Sequence, residues 1–199
     1  LAVYLRFTTP MYETTASILI KDEKKGQEES KMEEVLNVFD TKKIVENELE
    51  VLTSNAIMDD VITTMRLYAP IEQESGWQHL DRSSAYFTSP VAIEVAMPDS
   101  LREVSKVYFD YRENEKTVYV GEQKYPLGLW VSSPYGRMRF IKNPNHKPNA
   151  KNLPENARLY FSLLDLNRVT KNINENLKAS QISKQSSVIT FTIRDPLPQ

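Results

Sequence analysis

The chain has 199 residues, enough to bury a substantial core, and its 40% apolar and 26% charged residues are an ordinary globular balance. Net charge is −2, from 25 basic and 27 acidic residues, which argues against a dedicated nucleic-acid binder with its excess of basic charge on one face. There is no cysteine, so disulfides, thiol catalysis and cysteine-ligated zinc or iron–sulfur sites are excluded.

The first residues, Leu1-Ala-Val-Tyr-Leu5, are apolar and precede Arg6; on local evidence they begin a strand. No apolar run approaches the roughly 18–20 residues that span a bilayer. After Pro10, the stretch Tyr12-Glu-Thr-Thr-Ala-Ser-Ile-Leu-Ile20 alternates strictly and is rich in β-branched residues, which predicts a strand. Lys21 to Lys31 is densely charged and reads as a solvated loop, followed by a short helix over Met32–Phe39.

Two short amphipathic helices come next. Asp40 is a candidate N-cap for the first, whose faces are marked by Ile44, Val45, Glu48, Leu49 and Leu52. Thr53-Ser-Asn55 marks the break, with Ser54 or Asn55 capping a second helix that carries Ile57, Met58, Val61, Ile62 and Met65 at 3–4 residue spacing. Tyr68 to Pro90 shows weak periodicity.

From Val91 the pattern is strand-like. Strands are expected over Val91–Ala96, Lys106–Tyr111, Thr117–Val120, Gly121–Tyr125, Leu129–Val131 and Arg137–Ile141, at hairpin spacing. Asn143 to Pro154 reads as a surface loop. Ala157–Leu164 predicts another strand, and Asp165 caps a helix with Leu166, Val169, Ile173 and Leu177 on one stripe. Ser187–Arg194 alternates cleanly and predicts a last strand. Together these elements predict one α+β domain over residues 1–199, a mixed sheet with helices packed on one side, plus a strand-rich insertion over residues 91–142.

Signatures of chemistry are weak. None of the five glycines starts a P-loop, a dinucleotide fingerprint or a hydrolase elbow. His79 and His146 lie in separate loop-like stretches without ligand partners at helical spacing, so both read as surface or turn histidines. Carboxylates gather at Glu28, Glu29, Glu33 and Glu34, at Glu46, Glu48 and Glu50, and at Asp59 and Asp60. A glycosidase needs one carboxyl buried with a raised pKa, whereas these positions read as solvated faces. The aromatics Tyr108, Phe109, Tyr111, Tyr119, Tyr125, Trp130, Tyr135 and Phe140 crowd the central strands; part of the group must be core, and the rest could form a sugar-stacking platform.

The order of parts and several short phrases resemble the periplasmic domain of the polysaccharide chain-length determinant (Wzz-type) family, closest to the exopolysaccharide-exporting tyrosine autokinases of the Wzc type. The carriers are Phe7-Thr-Thr-Pro-Met-Tyr12 with its following strand, Asn47-Glu-Leu-Glu-Val-Leu-Thr-Ser54, Val61-Ile-Thr-Thr-Met-Arg-Leu67, and Ser186-Ser-Val-Ile-Thr-Phe-Thr-Ile-Arg-Asp-Pro196. The Gly121, Gly128 and Gly136 segment is also similar to the autokinase branch. Pro10, Tyr12, Asn47, Glu48, Ser54, Asp195 and Pro196 are the motif positions, expected to be structural.

The resemblance implies a periplasmic domain anchored in a bacterial inner membrane, with Leu1–Leu5 the last turn of a first membrane helix. It implies that long helices and a second membrane helix lie beyond this sequence, and that any kinase domain is separate. It further implies homo-oligomeric scaffolding that governs the length or export of a capsular, exopolysaccharide or O-antigen polymer. The implied partners are a polysaccharide polymerase, an outer-membrane export protein and the polysaccharide itself. No cofactor, metal or catalytic residue is expected in this piece. The rival readings are an extracellular carbohydrate-binding module, dependent on residues such as Trp130 and Tyr135, and a carboxylate-pair hydrolase.

Overall fold

The computed structural model describes residues 11–20, 45–75, 81–147, 157–183 and 186–195. Pro10, His79, Pro196, Leu1–Leu5, Asp40, the acidic spacer and the helix expected at Met32–Phe39 lie outside the described residues. The α+β class holds, with twelve strands among the described residues arranged in three sheets. Every described strand pair is antiparallel, so three antiparallel sheets stand where a mixed sheet was expected. Three of the pairs, Val104–Arg112 with Thr117–Val120, Thr117–Val120 with Gln123–Pro126, and Val131–Ser133 with Gly136–Lys142, are joined by short turns, and a tight turn can only return a chain antiparallel.

The chain folds into two compact units, residues 1–58 with 171–196, and residues 59–170 with 197–199. In the first unit, β1 (Tyr12–Leu19) pairs with β12 (Val188–Asp195), which pairs on its other side with β11 (Leu177–Gln181). Tyr12 stands opposite Asp195 and Leu19 opposite Val188. One face of this sheet carries Tyr12, Ala16, Ile18, Ile189, Phe191 and Ile193. The other carries a ladder of small hydroxyls, with Thr15 to Thr192 at 3.3 Å and Ser17 to Thr190 at 3.1 Å, next to a Glu13–Arg194 ion pair. Residues 45–52 form α1, which ends where Thr53 Oγ1 donates back to the Leu49 carbonyl at 2.8 Å. Among the described residues, Val45, Met58 and Ile189 are the buried apolar residues of this unit.

Ser54 caps α2 (Asn55–Met65): its Oγ accepts the Ile57 N–H at 3.5 Å, and its carbonyl accepts the Met58 N–H at 3.0 Å. Arg66 closes the helix in the left-handed region, φ 59°. At the far end of the chain, Asp165 caps α3 (Leu166–Asn176) through Oδ1, which accepts the Arg168 N–H at 3.0 Å. The division between units falls inside both helices.

The second unit holds a six-stranded sheet, in the order β3 (Asp81–Ser84), β2 (Ile71–Ser75), β10 (Arg158–Leu163), β5 (Val104–Arg112), β6 (Thr117–Val120), β7 (Gln123–Pro126). It also holds a three-stranded sheet, β4 (Val91–Val95), β9 (Gly136–Lys142), β8 (Val131–Ser133). Inward positions of both sheets meet in an aromatic core. Phe140 lies 5.4 Å from Tyr125, 5.6 Å from Phe109 and 6.0 Å from Phe161, ring centre to ring centre. Edge-to-face and tilted pairs of this kind add to simple area burial. The strand-rich stretch at 91–142 is thus part of a larger unit that recruits β2, β3 and β10 from either side.

Three strands were not evident in the sequence, among them β3, which reads Asp81-Arg-Ser-Ser84. β2 reads Ile71-Glu-Gln-Glu-Ser75, so its alternation is acidic rather than apolar. β11 begins at Leu177, the residue that continues the apolar stripe of α3, so helix and strand share one pattern until the chain meets the edge of β12. β8 starts at Val131, two residues after the expected strand, leaving Leu129 and Trp130 ahead of it.

Candidate functional site

Polar chemistry concentrates on the outward faces of the second unit. On the six-stranded sheet, three strands each contribute a pair spaced by two residues: Glu72 and Glu74 from β2, Arg158 and Tyr160 from β10, Lys106 and Tyr108 from β5. Cross-strand register sets Tyr160 beside Glu72 and Tyr108, and Arg158 and Arg82 beside Glu74. Lys106 is the bulged residue of β5: pairing shifts between Phe161–Val107 and Leu163–Val104, and Lys106 takes φ 56°. A non-glycine in that region is strained and is held by its neighbours. Here the Lys106 N–H donates to Ser162 Oγ at 3.3 Å.

The centre of the cluster is Glu74, only 2% exposed. Its Oε1 contacts Lys106 Nζ at 2.6 Å and Arg82 Nε at 3.3 Å, and its Oε2 accepts the Tyr108 hydroxyl at 2.8 Å. The cover is thin, because Lys106 and Arg82 are themselves substantially exposed. The hydrogen bond from Lys106 holds the Glu74 carboxyl below the usual carboxylate range, assisted by Tyr108 and opposed by desolvation. Glu74 in turn holds Lys106 above the ordinary lysine value. Tyr160 donates to Glu72, and burial, then that hydrogen bond, pushes its hydroxyl upward. Arg158 stacks 4.2 Å above the Tyr108 ring, and Arg112 lies 4.4 Å above Tyr119.

The outward face of the three-stranded sheet carries a second cluster, in the order Trp130, Arg139, Glu94, Arg66. Glu94 Oε2 accepts Arg139 Nε at 2.7 Å, while Oε1 accepts Arg66 Nε at 3.2 Å and also contacts Arg66 Nη2. Desolvation raises the Glu94 carboxyl, but the hydrogen bonds and charges of the two guanidiniums outweigh it and hold the group low. Arg139 stacks 4.6 Å over Trp130, with Arg137 at 5.9 Å.

In each cluster the shifts move the groups away from neutral pH. Glu74 and Glu94 are held charged, Lys106 is held protonated and Tyr160 is held neutral. The geometry of each arrangement is that of an ion pair reinforced by hydrogen bonds.

The residues singled out from sequence separate by environment. Tyr12 and Asp195 come together as directly opposed partners in β1 and β12. Asn47 and Glu48 are exposed on α1, and Ser54 is a helix cap. Of the aromatic platform, Phe109, Tyr125 and Phe140 are core, and Tyr135 packs edge-on against Phe161 at 5.9 Å. Trp130, by contrast, remains 38% exposed. Glu46, Glu48, Glu50 and Asp60 are exposed, and Asp59 accepts the Thr170 hydroxyl at 2.5 Å. His146 is exposed in a turn. Among the described residues no group of three or more histidines and carboxylates is placed to hold a metal ion.

Sequence reading missed Glu74, Lys106, Arg82, Glu94 and Arg66. The signal that could have found the first is the acidic pair Glu72 and Glu74 at i and i+2, which puts both on one face of a strand. No family model matches the chain, and no curated protein matches it. Among the described residues no helix is long and apolar enough to cross a membrane.

Proposed function

We propose that this chain is the periplasmic domain of an inner-membrane polysaccharide co-polymerase of the Wzz type. In this reading it is a non-catalytic scaffold whose copies assemble to govern the length or export of a surface polysaccharide. The observation that carries the reading is the register of β1 against β12. Tyr12 lies opposite Asp195, so the chain enters this sheet and leaves it at the same end, with the whole second unit held between in sequence. That arrangement suits a domain tethered to one membrane by both flanks.

The two residues so paired belong to the phrases that resemble the family at opposite ends of the chain. The clamped charge states of the Glu74 and Glu94 clusters fit a scaffold better than a catalyst. Partners in this reading are further copies of the chain, a polysaccharide polymerase and an outer-membrane export protein.

The 199 residues hold no cysteine, so a thiol introduced among them is the single one in this domain and reports its topology. Met97, a highly exposed residue after β4, is replaced in the full-length protein by Met97→Cys. In intact cells a membrane-impermeant maleimide is expected to label it before lysis, and deletion of the gene is expected to alter the length distribution or surface amount of polysaccharide. Labelling only after lysis, or an unchanged polymer in the deletion strain, overturns the proposal.

A further inference from the structure

On the outward face of the three-stranded sheet, Trp130 and Arg137 remain accessible to solvent. Arg66 and Arg139 share the carboxylate of Glu94, so that row is two cations against one anion. Arg137, on the same face of β9 two residues before Arg139, is exposed and forms no ion pair among the described residues. The Trp130 ring is within reach of both, 4.6 Å from the Arg139 guanidinium and 5.9 Å from that of Arg137, and remains 38% exposed. Leu129 beside it is 60% exposed, and Ser132, the cross-strand partner of Arg137, adds a hydroxyl.

A ligand matched to this surface presents an apolar face to an indole ring and an anionic group to a planar guanidinium a few ångströms away. Arg is suited to such a group because its fork can take a carboxylate bidentately. A nucleic acid would need several unpaired cations in a row to neutralise successive phosphates, and this face has Glu94 at its centre. A pyranose has an apolar face of C–H groups, and a uronic acid carries one carboxylate on the same ring. We propose that Trp130 and Arg137 form a binding subsite for an acidic sugar unit of a polysaccharide, the ring stacking on Trp130 and the carboxylate pairing with Arg137. This deepens the co-polymerase reading, on which it rests, by naming a polymer class and a contact surface.

The test uses the 199-residue chain labelled with 15N. It has two tryptophans, so Trp77→Phe assigns the Trp130 indole N–H resonance. Titration with hexagalacturonate is expected to shift that resonance. Arg137→Gln is expected to weaken binding by about tenfold, the order of one charge-assisted contact, and Trp130→Ala, followed by backbone amide resonances because it removes the indole, by at least as much. Cellohexaose, neutral and of equal length, is expected to bind far more weakly. Four results overturn the subsite: no shift with hexagalacturonate, a shift unaltered in Arg137→Gln, equal binding of cellohexaose, or equal binding of an oligothymidylate. Failure here leaves the scaffold proposal standing, because that proposal is read from labelling and polymer length in cells.

Discussion

The sheet β1–β12–β11 and the aromatic-cored unit use the same period-two alternation to different ends. In β9, alternate residues Met138 and Phe140 are wholly buried, and Phe140 packs against the rings of Phe109, Tyr125 and Phe161. In β1, every residue from Tyr12 to Leu19 is exposed, and on one face Thr15 and Ser17 meet only the hydroxyls of Thr192 and Thr190. Alternation specifies which residues share a face. Burial depends on whether another layer arrives to cover that face. The second unit is stabilised by side-chain packing, whereas among the described residues β1 meets β12 through backbone bonds and small hydroxyls.

The largest expected effect tests the packed side of that contrast. Phe161→Ala removes a ring that touches Phe109, Tyr135 and Phe140 and should destabilise the second unit by about 3–5 kcal/mol. Denaturant unfolding followed by tyrosine fluorescence measures it; a loss below about 1 kcal/mol would mean that the aromatic hub is not what holds the unit.

Glu74→Gln should cost less, roughly 1–2 kcal/mol at neutral pH, because the cations covering the carboxylate are exposed and screened. The pH dependence has a defined sign. The folded pKa of Glu74 is lowered, so its contribution is present above the ordinary unfolded value near about 4.3 and is lost as pH falls through the depressed folded value. Urea midpoints measured between neutral and acidic pH should therefore converge for the parent and Glu74→Gln proteins in acid. Curves that stay parallel would remove Glu74 from the account.

The smallest effect belongs to the open sheet. Ser17→Ala deletes one exposed hydroxyl contact with Thr190 and should change stability by less than about 0.5 kcal/mol. A cost comparable to that of Phe161→Ala would show that the exposed ladder, and not the ring cluster, carries the structure.

How much was legible in the sequence follows from where each partner lies. β1, β6 and β12 were readable because their β-branched and aromatic residues alternate without interruption. β2 was not, since Glu72 and Glu74 occupy positions where an apolar residue would have announced a strand; Tyr160 and Lys106, distant in sequence, satisfy them instead. Trp130 and Tyr135 looked equivalent as candidate sugar contacts. The fold separated them, because Phe161 reaches Tyr135 while guanidiniums stack over Trp130.

By itself, the sequence determined the local features: a cap at Ser54 or Asn55, the cap at Asp165, the helix break at Thr53-Ser-Asn55, and the faces of the alternating strands. Each of these depends on contacts within a few residues, which a linear pattern records. Only the tertiary structure decided the division into two units, the pairing of Tyr12 with Asp195, and the burial of Glu74 beneath Lys106 and Arg82. It also decided the exposure of Trp130. Those outcomes arise where segments far apart in the chain meet, and a carboxylate or an indole carries no mark in sequence of what will be brought to cover it.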